Sequence, residues 1–147
     1  MEKFELYTLT IYNMLDPADD KNFWEAIIEV QDICSLYDLH LFIQHVVDFD
    51  NNHLFEFYAG RNYRNRKLKF SVNPGYPYDG GEYEDNLLKD IYPLKGLKLF
   101  YLFDPGDNWL FEICKSRKKA KIQHDTKYPR IVTDNGIKLR QYYNDDE

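Results

Sequence analysis

The chain has 147 residues, of which 44% are hydrophobic and 17% aromatic, and a formal net charge of −6. That is one domain's length, enough to hide roughly 70% of the surface the unfolded chain exposes. Its 13 Tyr, 10 Phe and 2 Trp exclude a disordered segment. Only Cys34 and Cys114 are present, which excludes a disulfide framework, and without CxxC spacing both read as buried thiols. The start MEKFELYTLTIY lacks the basic-then-apolar pattern of a secretory signal. No stretch approaches the roughly 20 apolar residues of a membrane span, so a cytoplasmic protein with no membrane partner is expected.

The net charge conceals a division. Residues 61–69 hold Arg61, Arg64, Arg66, Lys67 and Lys69, and residues 115–121 hold Lys115, Arg117, Lys118, Lys119 and Lys121. These segments carry ten of the 19 basic residues and no acid, so removing them from −6 leaves −16 on the rest.

In chain order, Glu5 to Tyr12 alternates two β-favouring faces and predicts a first strand. A polar segment, DPADDKN, separates it from FWEAIIEV, residues 23–30, a second strand that should pair with the first as a wide hairpin. Ser35 opens a capping-box-like start, with Asp38 adding negative charge to the first turn. Leu36, Leu39, Phe42, Ile43, Val46 and Val47 recur at intervals of three and four, so a helix over 35–48 must bury one face. HLFEFYAG and KLKFSV predict strands on either side of the first basic segment. NPGYPYDGGEYED reads as a surface loop, and Leu87, Leu88 and Ile91 suggest a short helix, about 86–92, ended by Pro93. LKLFYLF and NWLFEIC complete a sheet of about six strands, RIV (130–132) would add a last short one, and the acidic tail, 141–147, is expected to fray.

Between the last two long strands lies FDPGDNW. Pro105 presets φ for the first central position of a turn, and Gly106 suits the positive φ that a type II turn needs at the second. Asp104 and Asp107 then serve the turn; as a carboxylate pair they could instead bind a metal or share a proton, but the spacing resembles no calcium loop.

The run Phe103-Asp104-Pro105-Gly106-Asp107-Asn108-Trp109, with Glu112-Ile113, resembles the YDFGDDWxHxI signature of the plasmid pRiA ORF-3-like family, which includes TnpR-like passenger proteins of insertion elements. Leu36-Tyr37-Asp38-Leu39-His40 with Ile43-Gln44 resembles its LxDLHxxIQ helix, and residues 50–57 its DxxHLHEF strand. Phe23-Trp24-Glu25 sits where IWR is usual, so the resemblance spans most of residues 4–130. It implies a compact α+β domain of unassigned biochemical role, linked to mobile elements. Phe55 stands where a second histidine is common, Asn108 replaces an acid, and the CPPEDCGG segment of longer members is missing after Tyr128-Pro129. Those departures argue against a metal or acid/base role at these positions, and no metal or cofactor is expected.

The motif positions His40, His53, Asp104, Asp107 and Trp109 form one candidate cluster. His40 falls at the edge of the buried helical stripe and His45 on the wet face, five residues on, where a zinc pair needs four. His53 with His40 and Asp48 or Asp50 would suit a small metal-dependent or hydrolytic enzyme. The structural alternative has His40 bonding a backbone carbonyl and His53 capping a turn. No nucleophile elbow, P-loop, dinucleotide fingerprint or HExxH appears. The second candidate site is anionic recognition by Arg61, Arg64, Arg66, Lys67, Lys69, Lys115, Arg117, Lys118 and Lys119 with interleaved Tyr58, Tyr63 and Phe70. An acidic protein or a nucleic acid would be the partner if the two segments adjoin; as ordinary solvated loops they would only discourage edge pairing.

The expectation is therefore one α+β domain over 1–147, with an antiparallel or mixed sheet packed on the 35–48 helix. The order strand, strand, helix, strand is β-grasp-like. The sequence leaves open whether the chain is a monomer or a homo-oligomer.

Overall fold

The computed structural model describes residues 3–16, 21–70 and 86–142. Strands β1 (Leu6–Leu15), β2 (Trp24–Gln31), β3 (Phe55–Gly60), β4 (Leu68–Phe70), β5 (Lys98–Phe103), β6 (Trp109–Lys115) and β7 (Arg130–Gly136) form one sheet in the order β4-β3-β5-β6-β1-β2-β7. Every pairing is antiparallel. Helix α1 (Leu36–Val47) follows β2, and α2 (Leu88–Ile91) precedes β5. This is the expected α+β class, with seven strands. A β-grasp arrangement would set the strand after α1 beside β1; here β3 pairs with β4 and β5, because β6 occupies that side of β1.

Alternation explains the core. Leu9 and Ile11 of β1 and Ala26, Ile28 and Val30 of β2 point to one face and are fully buried, while Glu25, Ile27 and Glu29 point to the other and are partly exposed. Onto the first face α1 lays Leu36, Leu39, Ile43 and Val47, the predicted stripe, within the same apolar cluster. Burying each such side chain contributes about 1.5–3 kcal/mol. The Ser35 hydroxyl caps α1 by accepting from the Asp38 amide at 3.0 Å. Asp48 ends the helix in the left-handed region, its amide bonded to Gln44 and His45 carbonyls.

Central strands β5 and β6 are apolar on both faces, for the second face carries Tyr58, Phe100, Leu102 and Leu110 with Met14 and Tyr63 against them. That is why LKLFYLF and NWLFEIC read as continuous apolar runs. Edge strand β7 bulges between Ile27 and Ile28 of its partner, a feature that discourages pairing with another sheet.

The acidic tail begins tethered. Leu139 and Gln141 are buried, and Gln141 bonds the Asp50 amide and Asn52, so the expected fraying does not hold at 141 and 142. Residues 143–147 and the loop predicted over 73–85 lie outside the described residues. Among the described residues no helix is long and apolar enough to cross a membrane.

Candidate functional site

The motif residues split into a buried hub and a surface turn. His40 is fully buried on α1, its ring stacked on Phe55 at 3.6 Å and 5°. Its Nε2 lies 2.6 Å from Asn51 Oδ1, an obligate acceptor, so Nε2 carries the proton. Its Nδ1 then accepts from the Tyr101 hydroxyl at 2.6 Å, and that hydroxyl accepts in turn from Gln44 Nε2 at 2.9 Å. Gln44 Oε1 closes the circuit by accepting the Asn51 amide at 2.9 Å. Burial lowers the imidazole pKa from 6.5 to about 4, against the raising effect of the Asn51 bond. His40 therefore bonds side chains, and not the backbone carbonyl of the structural alternative; both ring nitrogens are spoken for.

His53 and Asp104 do meet. His53 Nε2 is 3.6 Å from Asp104 Oδ2, with side chains 41% and 16% exposed, and the His53 ring stands edge-on to Phe103. His40 lies against the same Phe103 ring. Asp48 faces Lys138, and Asp50 accepts from the Tyr142 hydroxyl at 2.6 Å. Trp109 is fully buried against Phe49, in the core. Among the described residues no group of three His, Cys, Asp or Glu is placed to hold a metal.

The 104–107 turn forms, but with different backbone geometry from that expected. The Asp107 and Asn108 amides both bond the Asp104 carbonyl, at 2.9 and 2.6 Å. Positive φ falls on Asp104 (58°) and Asn108 (64°), not on Gly106. Asp and Asn tolerate that region because their short side chains bond locally. Asn108 thus has a geometric reason to stand at this position.

The two basic segments leave the same end of the sheet. Gly60, last in β3, is paired with Lys98, first in β5, and Lys115, last in β6, is paired with Leu9 of β1. Residues 61–67 turn back from β3 at that end, and the Ser116 and Ala120 amides bond the Thr8 and Leu6 carbonyls along β1. Between the segments stands the loop 92–97 leading into β5, with two further cations, Lys95 in the loop and Lys98 at the start of the strand. It walls two cavities. One, of about 510 Å³, lies toward Arg61, Lys67 and Leu68. The other, of about 600 Å³, lies toward β6 and is lined by Lys95, Lys98, Lys115, Arg117 and Lys119, by Tyr7, Tyr92, Leu94, Leu97 and Ile113, and by Glu5 and Glu112.

Within the larger cavity Lys115 Nζ sits 4.5 Å from the Tyr7 ring centroid and 5.8 Å from that of Tyr92, which meet edge-to-face. Lys119 pairs with Glu5 at 3.0 Å. Among the described residues, no ion pair engages Lys95, Lys98 or Arg117. The other cations divide differently. Arg66 bonds Glu56 and covers the Tyr58 ring at 4.4 Å, and Arg64 lies 5.1 Å over Tyr63, both on the second sheet face. Lys69 lies on exposed β4 and Lys118 is exposed, neither lining the groove.

Sequence reasoning missed Tyr7, Tyr92, Lys95 and Lys98. The available signal was Leu94-Lys95-Gly96-Leu97. The Leu97 amide bonds the Leu94 carbonyl at 3.1 Å, with φ of 52° at Lys95 and 90° at Gly96, a type I′ turn. Lysine at positive φ is strained, and it stands on the cavity rim.

On the second face, Glu112 is 4% exposed and accepts from the Cys114 thiol at 3.1 Å. Cys114 is exposed, not buried as expected, because it follows the last β5–β6 pair at the sheet end; Cys34 is buried. Burial and Glu112 still push its thiol up to about 11, and the Tyr12 hydroxyl up as well, so neither is an activated nucleophile.

The sequence profile of the plasmid pRiA4b ORF-3-like protein family matches residues 18–139. The structure is similar to the crystal structure of a protein of unknown function, MM3350 from Methanosarcina mazei Go1, at 23% identity and a TM-score of 0.69. That likeness covers 90% of this chain and 71% of the other, and it shows a shared fold. No curated protein matches.

Proposed function

The chain belongs to the plasmid pRiA4b ORF-3-like protein family, and we propose that it is a binding domain holding an anionic ligand at the basic end of its sheet. One observation carries this reading: segments more than forty residues apart in sequence reach the same sheet end, and the stretch between them adds Lys95 and Lys98 to the rim. Cations concentrated around a concave, partly apolar cavity focus potential that the overall charge of −6 hides.

The test uses the triple variant Lys95→Glu, Lys98→Glu, Arg117→Glu. Titration of the wild type with tripolyphosphate and with a mixed-sequence single-stranded 15-mer DNA should show binding that weakens as salt rises from about 50 to 200 mM. The variant should lose it while keeping its melting temperature. No binding of either anion, or binding indifferent to both salt and the three reversals, overturns the proposal.

A further inference from the structure

We infer that the larger groove takes a small phosphorylated molecule with a planar apolar body, the class to which nucleoside phosphates belong, and not a nucleic-acid strand. This deepens the reading of the basic end as an anion site and rests on it. A volume of about 600 Å³ suits one small ligand, since such pockets run from about 300 to 1,000 Å³.

The lining divides by chemistry. Of the lining cations, Lys95, Lys98 and Arg117 have neither an ion pair nor a ring contact among the described residues, and they suit phosphate oxygens. Leu94, Leu97 and Tyr92 offer an apolar wall in the same cavity, which bare phosphate would leave unused. The Tyr92 ring is half-buried in that wall, while its hydroxyl is sealed from solvent with no hydrogen-bond partner among the described residues, so a ligand in the groove meets the ring and not the hydroxyl. An apolar plane laid against Leu94, Leu97 and the Tyr92 ring leaves water, which contributes affinity that phosphate alone does not gain.

A strand needs a continuous track, and here the track breaks. The hairpin cations Arg64 and Arg66 are stacked on Tyr63 and Tyr58 of the second face, and the loop 92–97 walls Arg61 and Lys67 off into the smaller cavity. Stacking platforms for successive bases are therefore not aligned with the cations of the groove.

The experiment compares three probes at one ionic strength by calorimetry on the full chain: adenosine triphosphate, tripolyphosphate, and single-stranded DNA of 5, 10 and 15 nucleotides. Adenosine triphosphate should bind at one site, at least about tenfold tighter than tripolyphosphate. Leu97→Ser should weaken adenosine triphosphate at least about threefold and leave tripolyphosphate unchanged. Equal affinity for the two small anions, or a Leu97→Ser variant with unaltered preference, overturns the inference and leaves the anion site standing. DNA affinity that climbs with length and exceeds that of adenosine triphosphate also overturns it, in favour of a polymer. Binding of none of the three removes both the inference and the site.

Discussion

At the sheet end where α1 finishes, polar side chains are bonded to one another, whereas at the opposite end cations line a cavity with few partners. The first end holds the circuit of His40, Tyr101, Gln44 and Asn51, and around it Gln141, Asn52, Asp50 and Tyr142 close a second one. These bonds tie loop 49–54 and the chain beyond β7 to the core. The second end leaves Lys95, Lys98 and Arg117 facing a groove. Residues that look catalytic in a sequence can thus be the structural ones, and unremarkable lysines the available ones.

The sharpest way to separate the ends is His40→Ala. It removes two hydrogen bonds and the stack on Phe55, and leaves the Tyr101 hydroxyl without its acceptor in a fully buried site. A loss of about 4 kcal/mol is expected by urea denaturation. Anion binding per folded molecule should be unchanged, and a variant as stable as the wild type would break the comparison.

Acid should act on the same hub. The folded pKa of about 4 lies below the ordinary 6.5, so the unfolded chain binds the extra proton between them. Stability is full above pH 6.5 and declines toward pH 4, by about 3 kcal/mol from this group. Denaturation midpoints measured across that window should slope less in His40→Gln than in the wild type.

At the basic end, Gly60→Ala tests the hairpin that carries the first segment. An added Cβ would meet the Asn65 carbonyl oxygen at 1.7 Å, backbone against backbone, so the turn must open. About 2 kcal/mol should be lost, and amide exchange should quicken over 61–68 while α1 keeps its protection.

The smallest effect sharpens the contrast most. Lys95→Asn places the residue that type I′ turns favour before glycine at a positive φ. Stability should rise by up to about 1 kcal/mol while anion binding weakens. A thermal melt and a titration on one sample decide it, and tighter or equal binding would deny Lys95 its role.

Elements set by neighbours in the chain were legible beforehand. Ser35 and Asp38 announced the start of α1, the three-four spacing its buried face, and period-two alternation the faces of β1 and β2, since capping and side-chain direction depend on residues a few positions apart. The turn at 104–107 was foreseen, but which residues took positive φ was decided by pairing of β5 with β6 on either side of it. Alternation says which side chains share a face and nothing about which strand lies alongside. Only the tertiary structure set β6 beside β1 and brought residues 61–67, 92–98 and 115–119 to one end, because hydrogen bonds between strands distant in sequence are chosen by the packing of the whole sheet. The groove, built from that convergence, has no motif of its own.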